Sequence, residues 1–226
     1  MPELSRRKLL GLMGTAPLVG GVLGASAIGA AADNAAADNK AAAKAVSASD
    51  MLAASRAARE DIRKQYLPNV TLYTQDNKRV RFYDDLVKDK IITINVFYAN
   101  CEGVCPAITA NLVKVQKLLG PRVGRDIFMY SMTIKPEEDD VKALKMYQQM
   151  HGIGPGWTLL TGKPDDVELL RKSLGFTYPN KRIDQDKSQH IGNIRYGNEP
   201  LMLWAACPGM AHAQWIVESI SWVMRS

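Results

Sequence analysis

The stretch "IITINVFYANCEGVCPAITANLVKVQKLLG", residues 91–120, decides the fold. Residues 91–99 form a nearly continuous apolar, β-branched run, the pattern of a central strand covered on both faces. From Pro106 the apolar residues fall at helical spacing, with the proline in the first turn and Gly120 at the stop. Cys101 and Cys105, two of the chain's three cysteines, sit at the junction of strand and helix. The pair is a disulfide, a redox couple or a metal clasp, and the spacing alone does not choose among them.

Outward from this unit the pattern repeats. "DIFMYSMTI" (126–134) reads as a strand and "PEEDDVKALKMYQQMHG" (136–152) as a helix, with the acidic run Glu137–Asp140 in a first turn favoured by the helix dipole. "WTLLTG" (157–162) and "KPDDVELLRKSLG" (163–175) give another strand and helix. Upstream, "VTLYTQDNKRVRFYDDL" (70–86) predicts two strands joined at Asp76-Asn77. Downstream, "HIGNIRYGNEPLMLW" (190–204) predicts a hairpin turning at Gly197-Asn198, and "HAQWIVESISWVM" (212–224) a closing amphipathic helix. The fold class is α/β, with a mixed central sheet flanked by helices and an N-terminal hairpin.

The N-terminus has its own character. "SRRKLLGLMGTAPLVGGVLGASAIGAAADN" pairs Arg6 and Arg7 directly before a long Gly- and Ala-rich apolar run, the pattern of a twin-arginine export signal. Residues 1–32 are therefore expected to be an export signal, or a membrane anchor if uncleaved. Residues 33–65 form an Ala-rich spacer and residues 66–226 the folded domain. Export places the protein in the periplasm or cell envelope, where thiols oxidise by default. Formal net charge is +6, of which three basic residues and one acidic residue in the first 32 account for a part, leaving +4 beyond them. Lysines and arginines alternate with acids and form no basic stripe with interleaved aromatics, which argues against nucleic-acid binding.

A strand's carboxyl end followed by a helix N-terminus is where sites form in open α/β sheets, and the helix end favours a thiolate. One helical turn between the cysteines would put both sulfurs on one face. Two thiolates make an incomplete site for most metals; soft sulfur selects copper or zinc, and copper sites typically add an imidazole. The chain has three histidines. His151 ends a helix, where a partner for the dipole is common; His212 opens the last helix; His190 begins a strand after the polar stretch "NKRIDQDKSQ". Cys207, in "AACPGM" between the last strand and last helix, reads as a small buried residue, with a resolving thiol as the alternative. Met202 and Met210 read as core packing ahead of soft ligands.

"CEGVCP" after an apolar strand, "GWTLLTGKPDDVELLRKSLGF" downstream and a histidine some way beyond the second cysteine together resemble the Sco/SenC copper-chaperone family. The resemblance runs from about Tyr66 to about Trp222. It implies a thioredoxin-like fold that binds a copper ion through Cys101, Cys105 and His190. It also implies a role in assembling the dinuclear copper centre of a respiratory oxidase, with related thiol–disulfide activity of the same two cysteines. The implied partners are a copper-receiving envelope protein, such as an oxidase subunit, and a protein that reduces the thiols. Two departures stand out: Lys135 precedes Pro136 where the family commonly has Asp, and the tail "RYGNEPLMLWAACPGMAHAQW" lacks the usual Asp-Gly-type turn. The alternative class is a thiol–disulfide oxidoreductase that keeps a partner's copper-site cysteines reduced, although such catalysts usually carry C-x-x-C. A peroxidase on this fold needs a T-x-x-C context that "YANCEGVC" does not supply.

Overall fold

The computed structural model describes residues 47–187 and 192–224. Two compact units are distinguished, residues 1–51 and 52–226. The described part of the first, residues 47–51, is helical from Ala48. Residues 1–32, expected to be an export signal, fall outside the described residues. No described helix is long and apolar enough to cross a membrane.

The core of the larger unit is a seven-stranded mixed sheet: β1 (Thr71–Thr74), β2 (Arg79–Arg81), β3 (Ile91–Phe97), β4 (Ile127–Thr133), β5 (Trp157–Gly162), β6 (Asn193–Asn198) and β7 (Leu203–Pro208), in the order β2-β1-β5-β4-β3-β6-β7. β3, β4 and β5 run parallel, and a hairpin closes each edge antiparallel to them. Parallel neighbours need crossovers. α2 (Cys105–Leu119) connects β3 to β4, and α3 (Val141–Met150) connects β4 to β5. α4 (Pro164–Ser173) and the short α5 (Lys181–Gln185) follow β5, and α6 (Ala213–Met224) ends the described chain.

β3 is buried from Ile92 onward, as its nearly continuous apolar run requires of a strand covered on both faces. Two polar residues, Thr93 and Asn95, interrupt the run. Asn95 is satisfied: Ser131 Oγ donates to its Oδ1 at 2.6 Å, and Trp157 Nε1 donates to Ser131 Oγ at 2.9 Å. The three parallel strands thus share a buried polar chain through their middle, which fixes their register.

α1 (Ala48–Tyr66) contains no buried residue, as its Ala-rich sequence without an apolar stripe dictates. Polar groups hold its second half. Arg59 reaches Glu199, and the Arg63 guanidinium lies 4.4 Å over the Tyr83 ring. Glu199 is itself only 3% exposed and also accepts hydrogen bonds from Tyr83 Oη at 3.0 Å and the Asp89 N–H at 2.9 Å.

Three local expectations change. The acidic run is not a helical first turn: α3 starts at Val141 with Asp140 as its N-cap, accepting from the Ala143 N–H, and Asp139 is buried in the preceding loop. The C-terminal hairpin does not turn at Gly197-Asn198. Both residues belong to β6, and the turn is residues 199–202, closed by Met202 at φ 53°. Gly197 serves close packing instead, because a Cβ there would meet the Trp204 ring at 2.3 Å. Cys207 lies within β7, paired in register with Ile194, and not after the strand.

Candidate metal and thiol site

The site forms where β3 ends. Beyond Phe97, whose carbonyl accepts the last ladder bond from the Ile134 N–H at 2.9 Å, the chain curls through residues 98–104 before α2 begins at Cys105. Pro106 suits this start because its missing N–H would have had no helical partner. Cys101 sits in the loop and not on a preceding helical turn, so the loop's curl, and not helix periodicity, brings the sulfurs together. None of the three cysteines is in a disulfide, and Cys101 and Cys105 are 7% and 1% exposed.

The two thiols differ in acidity. Burial opposes ionisation of Cys101, but hydrogen bonds from the Cys105 thiol, the Tyr98 hydroxyl and the peptide N–H groups of Cys105 and Gly103 outweigh it and lower its pKa. Cys105 moves the other way, pushed far up by burial and then by the bond it gives to Cys101. The expectation that a helix N-terminus would activate both sulfurs therefore holds only for Cys101; at Cys105 desolvation wins. Tyr98 is pushed to about 12, first by its bond to Cys101 and then by burial. The Lys135 ammonium lies 4.5 Å over the Tyr98 ring, so the lysine that departs from the expected Asp borders the site.

His190 lies outside the described residues, but the chain on either side of it is firmly held. On the upstream side, Arg171, 5% exposed, bonds both carboxylate oxygens of Asp184 at 2.7 and 2.8 Å and pairs with Glu168, which also receives Lys187 at 2.7 Å. Arg171 and Lys187 hold the Glu168 carboxyl well below its ordinary range, and Arg171 holds Asp184 down to about 2. Asp186 is close enough to Tyr98 to disfavour its ionisation. On the downstream side, Gly192 accepts from the Gly209 N–H at 2.7 Å, and a Cβ on it would meet Ile108 Cδ1 at 2.8 Å and Val104 Cγ2 at 4.0 Å. Asn111 Nδ2 donates to the carbonyls of Gly209 and Ala211, both at 2.8 Å, which locks this loop onto α2. Both flanks of His190 thus border the cysteine loop or the first turns of its helix.

The remaining candidates lie elsewhere or act structurally. The His151 ring stacks 4.1 Å from Tyr147 and is lowered in pKa by burial, so it packs as well as ending α3. His212 is exposed, immediately before α6. Cys207 is buried at 2%, and burial pushes it to about 11, which suits a packing residue. Neither methionine is in the core: Met210 is 57% exposed, and Met202 is half-buried in the β6–β7 turn, where its backbone closes the reversal. No group of three or more His, Cys, Asp or Glu side chains suited to a metal occurs among the described residues. Sequence reasoning missed Tyr98 and Asp139. Tyr98's position at the strand end was the available signal for the first; nothing in an acidic run before a helix marked the second as buried.

The fold and site define a thioredoxin-like protein with a two-cysteine centre after β3, the first of its parallel strands. A family model described as SCO1/SenC matches residues 59–198, more than half of the chain, and the chain belongs to that family. The SCO1 protein homolog of Bacillus subtilis (strain 168) is 30% identical over 93 residues, 41% of this chain and 47% of the relative, so the chain spans about half the length of that relative. Yeast Sco1 with copper bound is similar in structure, with TM-score 0.55 and 20% identity over 69% of this chain and 90% of that one. BsSco, described as carrying a disulfide switch and as a member of the Sco family of cytochrome c oxidase assembly proteins, gives TM-score 0.55 at 23% identity, covering 68% and 90% of the two chains. At these identities the structural likenesses establish the fold.

Proposed function

We propose that this chain is a copper-binding metallochaperone of the cell envelope, with Cys101, Cys105 and His190 as its ligands. The observation that carries the reading is the pairing of two hydrogen-bonded thiols, neither in a disulfide, at the start of α2, with the chain on both sides of His190 held beside them. Two soft sulfurs and an imidazole suit copper, and a carrier needs ligands that can release their ion. That yeast Sco1 holds copper and that BsSco belongs to a family of oxidase assembly proteins supports copper as cargo and a respiratory oxidase, or a related copper enzyme, as recipient. A protein reductant of the thiols completes the set of partners. Residues 66–226 are the copper-binding domain, residues 33–65 the spacer, and residues 1–32 the twin-arginine signal or retained anchor. Anaerobic titration of the reduced protein with Cu(I) against a competing chelator tests the reading. One tight site that is lost in Cys101→Ser and weakened in His190→Ala is expected; equal affinity in wild type and His190→Ala removes the histidine from the site.

A second reading, a thiol–disulfide oxidoreductase, draws on the opposite ionisation of the two thiols, which suits one attacking and one resolving sulfur. Bridged sulfurs bind the ion poorly, so oxidation and copper loading exclude one another. Rapid turnover of a disulfide substrate, unaffected by copper, would favour this reading.

A further inference from the structure

The cysteine loop leaves the sheet at a point where the backbone loses its strand partner. After the Phe97 carbonyl the ladder to β4 stops, and the next inward N–H, that of Ala99, is taken by a side chain: Asp139 Oδ2 accepts it at 2.9 Å. The same oxygen accepts from the Thr133 hydroxyl, and the Asp139 carbonyl accepts from Thr161 Oγ1 at 2.9 Å. Asp139 is 1% exposed, and neither of these carboxylate donors is charged. A buried carboxylate served by neutral donors is an expensive way to fill space, since desolvation costs more than such bonds return. What it supplies is a directional oxygen acceptor for one particular peptide unit. That unit lies between Tyr98, which donates to the Cys101 sulfur, and Cys101 itself. The loop carrying Asp139 grips the same segment from a second side, with Lys135 over the Tyr98 ring and the Lys135 carbonyl accepting from the Asp139 N–H at 2.9 Å.

We propose that Asp139 is the positioning residue of the cysteine loop, holding the Ala99 peptide so that Tyr98 and Cys101 face one another beside Cys105. It acts through the backbone, at the Ala99 peptide. In its copper arm the inference rests on the metallochaperone reading; in its thiol arm it does not.

The test uses the full chain and four variants, read by Cu(I) affinity against a chelator and by the rate of Cys101 alkylation with iodoacetamide. Asp139→Ala should weaken copper binding by about tenfold or more, the range for residues that orient metal ligands, and slow alkylation by a similar factor. Asp139→Asn keeps an oxygen facing Ala99 and should restore most of both. Asp139→Glu keeps the charge but displaces the acceptor by one methylene, so it should lose both, and it reads position should the alanine variant fail to fold. Thr161→Val removes a bond to the same residue's carbonyl and should lower the unfolding midpoint while leaving both readouts unchanged. Wild-type values in folded Asp139→Ala or Asp139→Glu overturn the proposal, as do equal losses in Thr161→Val, which would make Asp139 a stability residue only. If the wild type binds no copper, the metallochaperone reading fails, and alkylation alone decides the role of Asp139.

Discussion

Cys101 and Cys105 share a hydrogen bond yet ionise in opposite directions: the loop thiol is made more acidic by the donors around it, and the helix thiol is held protonated by burial. Because the thiolate is the nucleophile, limited iodoacetamide at neutral pH should modify Cys101 ahead of Cys105 and Cys207. Peptide mapping of the singly labelled protein checks this; label found mainly on Cys105 would reverse the assignment.

Glu199 ties α1 and the β3 approach to the C-terminal hairpin. Glu199→Ala strands the Tyr83 hydroxyl and the Asp89 N–H and frees Arg59. Tyr83 is half-buried and Asp89 exposed, so a loss of about 1 kcal/mol in unfolding free energy, the low end for a stranded donor, is expected, with faster tryptic cleavage after Arg59 and Arg63. An unchanged cleavage rate would show that α1 is held by something other than this carboxylate.

The Arg171 cluster sets an acid limit. Asp184, held down to about 2 from an ordinary 3.8, and Glu168, held lower still, have folded-state pKa values below their unfolded ones. Their stabilisation is therefore fully present above the ordinary carboxylate range and is lost as pH falls from about 4 toward 2. Asp184→Asn should lower the thermal midpoint at neutral pH, and the deficit should shrink across that window. A deficit independent of pH would locate its origin in packing.

Gly197→Ala should destabilise by about 1–3 kcal/mol, as overpacking does, because the added Cβ falls on the Trp204 ring and near the Leu203 carbonyl. In a Trp204→Ala background the ring's share of that cost should vanish, leaving the share set by the Leu203 carbonyl at 2.8 Å, as a double-mutant cycle followed by thermal unfolding would read.

Much of this molecule was legible in the residues. The nearly continuous apolar run of β3 announced a central strand, Pro106 and Gly120 bracketed α2, and Asp76-Asn77 marked the first hairpin, where Asn77 adopts φ 58°. What escaped depends on partners distant in sequence. Gly197-Asn198 has the chemistry of a turn, but Trp204 needed the glycine's missing side chain, so the reversal moved to residues 199–202. Asp139 sits among acids that suit a helix dipole, yet the unpaired Ala99 N–H, forty positions away, draws it into the interior. The thiol pair was visible, but not its asymmetry, because burial of Cys105 depends on packing that the C-x-x-x-C spacing does not encode.

The central claim is that one copper ion is held by Cys101, Cys105 and His190. X-ray absorption at the copper edge of the Cu(I)-loaded full-length protein, in wild type and His190→Ala, tests it most directly. Two sulfur scatterers and one imidazole nitrogen are expected in the wild type, with the imidazole signal lost in the variant. A sulfur-only shell, or an imidazole signal that survives His190→Ala, would contradict the claim.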